Sequence, residues 1–413
     1  MYRHIFNVHE EEVGLRSILL YYPNRVALAK DSDFRRVPPR KPEDRQENYL
    51  EMFDFDTVFS DVFVRDGRLW MVGPPFANLE PELKISTFKW NMRDVSSEVE
   101  FENLNRMSRA SVPVDASNGL LEIAGPLGAW KFEVNELRDD LFHGSNLLIT
   151  QQKNNRLEWI AYWAFFNAQV NGVDSVIIYD NCSDNYTAEK VDQILARTPG
   201  IQSHVVVKWD TPYGATGGPN SVWDSDYGQH ISWEHARRAF ASSAASCCVI
   251  DIDELPFSSD GTALVDKLAA SDKAAMFFNR QPIRQFPNRR SESGSSLRTH
   301  ADFSLGEVRG AWLAPKYIYA PTRLPKEAQL MVHVIRDLGA KNETEKDVQA
   351  GHFDSIRIRW RNGETQQVKN FEHEDQITEP VEIVSALDEY FDRWEVLWKE
   401  LESKLKPIFE LQA

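Results

Sequence analysis

The pattern of hydrophobic and polar positions changes twice along the chain. Residues 1–145 carry short stretches that alternate apolar and polar positions, whereas residues 146–370 carry continuous apolar runs separated by helical periods. Residues 371–413 end in a single helical stripe. The pattern therefore predicts a β-rich accessory domain, an α/β domain and a C-terminal amphipathic helical segment.

Two dipeptides in the first part predict tight turns. Asp66-Gly67 separates two alternating runs, which is typical of a two-residue β-hairpin. Asn118-Gly119 precedes LLEIA, and the alternation continues over Ala129–Val134, which predicts a second hairpin.

From Leu147 onward, short β-branched strands alternate with helices. The apolar runs Leu147–Gln151, Ser175–Asp180, His204–Trp209 and CCVIDID predict strands of a parallel sheet, buried on both faces. Asn155 followed by Glu158 predicts a capping box at the start of the helix LEWIAYWAFFNAQV. That helix is apolar nearly all round and requires cover on several sides.

The C-terminal helix presents one apolar stripe, formed by Leu387, Phe391, Trp394, Trp398, Leu401 and Leu405. Seven acids against four bases in residues 381–406 disfavour docking on an anionic membrane. We expect the stripe to pack on the chain's own core or on a partner subunit, so that a homo-oligomer through this helix is one possibility.

Composition restricts the function classes. The 413 residues include 63 acids against 47 Lys and Arg, a net charge of −16, which argues against a nucleic-acid partner. Three cysteines cannot form a disulfide framework, and no apolar run is long enough for a transmembrane segment. We expect a cytoplasmic protein, with peripheral association at the inner membrane face as an alternative.

Polar residues follow the predicted strands at the edge where parallel sheets bind ligands. The first strand leads into Gln151–Asn154, the second into Asp180–Asp184, and the fourth into Asp251-Ile252-Asp253-Glu254. Three carboxylates so close together repel one another unless a cation neutralises them. Oxygen ligands suit Mn²⁺ or Mg²⁺, which would also bridge this acidic protein to a diphosphate.

The segment KNNRLEWIAYWAFFNAQVNGVDSVIIYDNCSDNYT (residues 153–187) resembles the opening of glycosyltransferase family 92 and its bacterial relatives, within the family 2-like GT-A group. The IDIDE run and an upstream Gln229 are similar to later family elements, as are KYIYAP, a single His333 and GHFDSIRIRW. Asn155 and Trp163 stand where the family has Glu and His. The matching residues of the opening are Lys153, Asn154, Glu158, Trp159, Gly172, Val173, Asp174, Tyr179, Asp180, Asn181, Ser183 and Asp184.

The resemblance implies a GT-A fold, Rossmann-like with a mostly parallel sheet, over residues 146–370. It implies that Asp180 contacts the nucleotide base with Lys153 and Asn154 nearby. It further implies that Asp251, near the ribose, and Asp253 bind Mn²⁺ or Mg²⁺, and that a late histidine, His352 in preference to His333, completes the shell. The other donor-side residues that it implies are Glu158, Asn181, Asp184 and Gln229.

The expected activity is metal-dependent transfer of a sugar from a nucleotide-sugar, UDP-sugar above others, to a glycan or lipid-linked glycan in bacterial surface polysaccharide or lipopolysaccharide synthesis. An inverting reaction needs a carboxylate base, for which Glu254, Glu307 and Asp354 are candidates. A retaining reaction stays open. The alternatives are a sugar-phosphate nucleotidyltransferase or donor hydrolase, and an inactive carbohydrate-binding or scaffolding protein.

Overall fold

The computed structural model describes residues 18–134, 137, 141–218, 220–286, 299–303, 305–307, 312–339, 342–354, 356, 358 and 382–410. Their fold is mixed α/β, with one large, mostly parallel sheet, smaller antiparallel sheets in the first 134 residues and a long C-terminal helix. No helix in these ranges combines the length and apolar character needed to cross a membrane.

The described part of the first 134 residues is rich in strands, with two short helices, α1 (Tyr49–Met52) and α2 (Glu80–Lys84). Antiparallel sheets are formed in the orders β4-β5-β9-β8 and β11-β10-β6-β7. The strands are β1 (Ile18–Tyr21), β2 (Val26–Ala27), β3 (Thr57–Phe59), β4 (Asp61–Arg65), β5 (Arg68–Gly73), β6 (Thr87–Trp90), β7 (Arg93–Asp94), β8 (Glu100–Leu104), β9 (Met107–Pro113), β10 (Gly119–Gly125) and β11 (Gly128–Val134).

The first predicted hairpin is confirmed and the second is displaced. Asp66 and Gly67 have φ of 52° and 69° and connect the paired strands β4 and β5, as a type I′ turn requires. Asn118-Gly119 instead lies at the end of the connection between β9 and β10, which belong to different sheets. The hairpin that contains Ala129–Val134 turns at Pro126-Leu127, between β10 and β11.

The large sheet has the order β1-β14-β13-β12-β15-β19-β17-β22-β16, with β18 beside β17. The first five of these strands run parallel, and β15, β19 and β17 pair antiparallel. The strands after residue 145 are β12 (Asn146–Gln152), β13 (Ser175–Asp180), β14 (Ser203–Lys208), β15 (Ser246–Val249), β16 (Glu254–Ser258), β17 (Ala275–Phe286), β18 (Leu305–Glu307), β19 (Leu313–Tyr319), β20 (Gln329–Leu330), β21 (Ile335–Arg336) and β22 (Thr344–Phe353).

One edge of this sheet comes from the start of the chain. Ile18–Tyr21 (β1) pairs parallel with Ser203–Lys208 (β14), although the two segments are far apart in sequence. The core on one face of the sheet also contains Tyr49 and Phe63. The division at residue 145 stays a prediction, but residues 18–21 belong to the large sheet.

Helices cover the sheet: α3 (Leu157–Asn171), α4 (Ala188–Arg197), α5 (Gly228–His235), α6 (Leu264–Ala269) and α7 (Glu382–Glu410). The predicted capping box is wrong. The helix begins one residue later than predicted, so that Arg156 is the N-cap residue, and it makes no side-chain cap bond because a guanidinium has no acceptor. The backbone N–H and the side-chain amide of Asn155 both donate to Gln152 Oε1. Gly172 ends α3 in the left-handed region, with φ of 73°.

The prediction that α3 is covered on several sides is confirmed, since 13 of its 15 residues are buried. Part of that cover is α7. Tyr162 contacts Phe391 and Trp398 at ring-centroid distances of 6.0 and 4.8 Å. The apolar stripe of α7 thus packs on the chain's own core.

Candidate functional site

A cleft of about 670 Å³ opens at the carboxyl edge of the parallel strands. Its lining includes charged and imidazole groups, namely Asp251, Asp253, Arg280, His333 and His352. Other lining residues are uncharged and come from the N-terminal region and from the loop after β14. They include Gln46, Asn48, Tyr213, Thr216, Gly217, Gly218 and Trp223.

Strand pairing brings Asp253 and His352 together across about a hundred residues of sequence. Strand β16 runs antiparallel to β22 with Glu254 opposite His352, and the N–H of Phe353 donates to the Asp253 carbonyl at 2.7 Å. Asp253 Oδ2 consequently lies 3.4 Å from His352 Nε2, and each residue is only 8% exposed. Asp253, Glu254 and His352 offer ligand atoms that all lie within 4.8 Å of one another.

This group fits a divalent metal ion. Two ligands of one ion, each about 2.1 Å from it, lie about 3.0–3.4 Å apart in octahedral or tetrahedral geometry, and the Asp253 and His352 atoms are 3.4 Å apart. His352 Nδ1 is buried without a hydrogen-bond partner among the described residues. Carboxylate oxygen with one imidazole suits Mn²⁺ better than Mg²⁺, which strongly prefers oxygen.

Asp251 has different neighbours from Asp253. Its Oδ1 accepts from Gln229 Nε2 at 2.9 Å, and its Oδ2 accepts from Lys316 Nζ at 3.1 Å. Gln229 in turn accepts a hydrogen bond from the Tyr213 hydroxyl. Asp251 lines the cleft, but the potential ion-binding group of the described residues does not include it.

Glu254 is fully buried and both of its oxygens are engaged. Arg280 donates to Oε1, the N–H of Asp251 donates to Oε2, and Lys316 Nζ lies 3.8 Å away. A carboxylate stabilised in this way by two cations is poorly suited to accept a proton from an acceptor. The carboxylates of Asp251, Asp253 and Glu254 still exceed the charges of Arg280 and Lys316 by one.

Of the other two candidate bases, Asp354 lies beside His352 and Glu307 lies in β18. Asp354 is 39% exposed at its side chain, with Oδ1 3.7 Å from His352 Nδ1. Glu307 is in β18, with its backbone opposite Arg284, and its side chain lies outside the described residues.

Asp180, the predicted contact for a nucleotide base, is fully buried and does not line this cleft. It accepts from Lys208 Nζ at 2.9 Å, from Gln152 Nε2 at 2.8 Å and from the Ser183 hydroxyl. Asn181 donates to the carbonyls of Trp209 and Thr211. These contacts join the ends of β12, β13 and β14.

Four further predicted donor-side residues also lie away from this cleft. Asn154 and Asp184 bond to each other twice, at 2.8 and 2.9 Å, and Asp184 lines a separate cleft of about 590 Å³ beside Lys208. Glu158 is buried and paired with Arg156, and burial raises its pKa despite that cation. Lys153 is partly exposed and lines neither cleft.

The sequence reasoning missed two cations and one histidine that support the site. Lys316 and Arg280 lie within largely apolar strands, and a charge in such a strand is itself a signal of a buried ion pair. His300 Nε2 lies 2.7 Å from the carbonyl of Ile252, the residue between the two aspartates. The predicted loop Gln285–His300 lies mostly outside the described residues.

Comparisons with known proteins add little. No family model and no curated protein matches the chain. Among solved structures it is similar to the maltogenic amylase from S. marinus, at 9% identity over 43% of this chain and 36% of that chain, with a TM-score of 0.16. A likeness this weak carries no argument about fold or activity.

Proposed function

We propose that this chain is a metal-dependent glycosyltransferase of the GT-A type, which transfers a sugar from a nucleotide-sugar donor, a UDP-sugar, to a glycan acceptor. The observation that carries the proposal is the Asp253–His352 pair, 3.4 Å apart on the wall of the cleft at the carboxyl edge of parallel strands. The family 92-like motifs of residues 153–187 and 250–255 support the same assignment.

In this proposal Asp253 and His352 hold Mn²⁺ or Mg²⁺, which supplies charge neutralisation for a diphosphate leaving group. Asp251 is oriented by Gln229 and Lys316 toward the donor. Glu254 keeps Arg280 and Lys316 in place beside the two aspartates. Asp354 serves as the base in this proposal, because its Oδ1 lies 3.7 Å from His352 Nδ1, whereas Glu254 is held by Arg280 and Lys316.

The test is UDP binding with and without Mn²⁺, measured by calorimetry. Wild type is expected to bind UDP only when Mn²⁺ is present, and Asp253→Asn is expected to weaken this binding by at least about tenfold, or 1.4 kcal/mol. Asp260→Asn is the matched control. Asp253 lies just before β16 and Asp260 lies just after it, but Asp260 pairs with Lys267 outside the cleft. If no nucleoside diphosphate binds with or without metal, the proposal fails.

One observation favours a second candidate, a carbohydrate-binding protein without transfer activity. Asn155, which stands where the family has Glu, lines the cleft, whereas the other departure, Trp163, is buried in the core. Product analysis separates the candidates: transfer to a glycan supports the glycosyltransferase, and release of free sugar supports a donor hydrolase. Glycan binding without turnover of any donor supports the binding protein.

A further inference from the structure

Trp223 lies exposed in the lining of the cleft. The residue is 56% accessible, whereas Trp209 and Trp233, which belong to the core on one face of the large sheet, are at most 1% accessible. A large aromatic ring left accessible inside a concave polar site is a common element of ligand recognition.

The indole of Trp223 rests on a glycine. A Cβ added to Gly217 would lie 2.5 Å from Trp223 Cε2 and 2.8 Å from Nε1, so that only a residue without a side chain leaves room for the ring. One part of the indole is therefore covered by backbone, while the accessible part faces the cleft.

The loop that carries Trp223 is held in place by a buried arginine of the N-terminal region. Arg40, 1% exposed, donates to the carbonyls of Thr216 and Val222 and to the carboxylate of Asp224, at 2.7, 2.5 and 2.8 Å. These bonds flank Trp223 on both sides in sequence. The backbone on either side of Trp223 is thus held before any ligand arrives, which lowers the entropic cost of ordering this loop on binding.

We propose that Trp223 is a stacking platform for one pyranose ring of a glycan substrate, a subsite that deepens the proposed function and rests on it. The C–H face of a pyranose packs on the electron-rich face of an indole. Asn48, which also lines the cleft, carries a side-chain amide that can pair with sugar hydroxyls, whereas the amide of Gln46 is already bonded to Arg40 and to the Thr216 carbonyl.

A nucleobase can also stack on tryptophan. The saccharide is favoured because the lining residues that Trp223 contacts or adjoins in its own loop, Thr216, Gly217 and Gly218, are uncharged.

The experiment is saturation-transfer NMR with cellotetraose and chitotetraose, in the absence of nucleotide and metal. Wild type is expected to transfer saturation to ring C–H protons, and Trp223→Ala is expected to weaken tetrasaccharide binding by about tenfold. Trp223→Phe should retain part of the effect. Trp312→Ala is the matched control, because Trp312 is 48% exposed and does not line the cleft.

Calorimetry with UDP and Mn²⁺ on the same variants distinguishes the two proposals. Trp223→Ala is expected to leave UDP affinity unchanged. Loss of UDP binding with tetrasaccharide binding intact would identify a nucleobase platform and overturn the saccharide proposal, as would a wild type that binds neither tetrasaccharide. A wild type that binds tetrasaccharides through Trp223 but no nucleoside diphosphate would reject the glycosyltransferase and leave the platform standing.

Discussion

Neighbouring carboxylates in the run Asp251-Ile252-Asp253-Glu254 have different surroundings because the chain turns between them. The N–H of Asp251 donates to the Glu254 side chain, and the N–H of Glu254 donates back to the Asp251 carbonyl. This reciprocal pair directs Asp251 and Glu254 toward Lys316, while Asp253 points toward His352. Within this motif, the carboxylates of Asp251 and Glu254 are therefore paired with cations, whereas the carboxylate of Asp253 fits a metal ion.

The imidazole of His300 contacts the backbone of this turn. Burial lowers the pKa of His300 to about 3, so the imidazole is neutral at physiological pH and only one nitrogen carries a proton. Nε2 lies 2.7 Å from the Ile252 carbonyl, and the ring stacks on Tyr162 at 5.5 Å. The geometry assigns the proton to Nε2, which donates to the turn between the two aspartates.

Replacing His300 by Phe is expected to keep the ring but leave the buried Ile252 carbonyl without this donor, at a cost of about 1–3 kcal/mol in the free energy of unfolding. Because the turn then moves more freely, the rise in melting temperature on adding MnCl₂ should also shrink. His300→Gln restores an N–H donor and should recover both quantities. Equal urea stability of wild type and His300→Phe would contradict this role.

At the scale of elements, a buried carboxylate on α5 joins the large sheet to the N-terminal sheets. Glu234 pairs with Arg109 of β9 and with Arg238, and both of these arginines are at most 16% exposed. Burial opposes ionisation of Glu234, but the charges of Arg238, Arg109 and Arg237 outweigh it and lower its pKa from 4.5 to about 2. The ion-pair cluster therefore depends on an ionised Glu234.

Glu234→Gln is expected to lower the free energy of unfolding at pH 7 by about 3–5 kcal/mol, because it leaves buried arginines without their partner. Because the pKa of Glu234 is lower in the folded state, its ionisation stabilises the fold at pH values above the unfolded pKa of 4.5. This stabilisation, on the order of 3 kcal/mol, is lost as the pH falls toward 2. Urea unfolding of wild type and variant should therefore differ less at pH 3 than at pH 7.

Glu102→Gln is the matched control for this cluster. Glu102 pairs with the same Arg109 but is 42% exposed, so its replacement should cost less than about 1 kcal/mol. A difference between wild type and Glu234→Gln that is the same at both pH values would contradict the assigned ionisation.

Elements defined by local periodicity were predicted well. The strand Ser175–Asp180 has the predicted bounds. Asn155 was wrong as a cap because α3 begins one residue further on, at Leu157, which places Arg156 at the N-cap position. The pairing of Ile18–Tyr21 with β14 was also missed, since strand partners distant in sequence leave no local signal.

The candidate site was predictable only where it depends on residues that are close in sequence or on the resemblance. Asp251, Asp253 and His352 were predicted as metal ligands, from a local motif and a resemblance, and the structure places Asp253 and His352 side by side. Asp251 instead bonds to Gln229 and Lys316 and is not part of the potential ion-binding group of the described residues. Lys316 and Arg280 were not assigned, because their role depends on contacts with Asp251 and Glu254 across 65 and 26 residues of sequence. Trp223 likewise becomes notable only when its exposure within a cleft is known.

On the scale of the whole molecule, the net charge of −16 makes two kinds of cation effect possible. Any salt screens repulsion among exposed acids, and that effect depends on ionic strength. A specific site acts by mass action instead, and stabilises the folded state by about 2.7 kcal/mol when the free ion is at a hundred times its Kd. The two effects are separable, because only the second depends on Asp253 and His352.

We therefore expect millimolar MnCl₂ to raise the melting temperature of wild type by more than NaCl of equal ionic strength does. His352→Gln should abolish this excess and leave the NaCl effect unchanged, since it removes one ligand and alters no other described ion pair outside the site. His204→Gln is the control, because His204 is also buried but pairs with Asp192 away from the cleft. An equal response of wild type and His352→Gln to MnCl₂ would mean that the acidic surface alone accounts for cation binding.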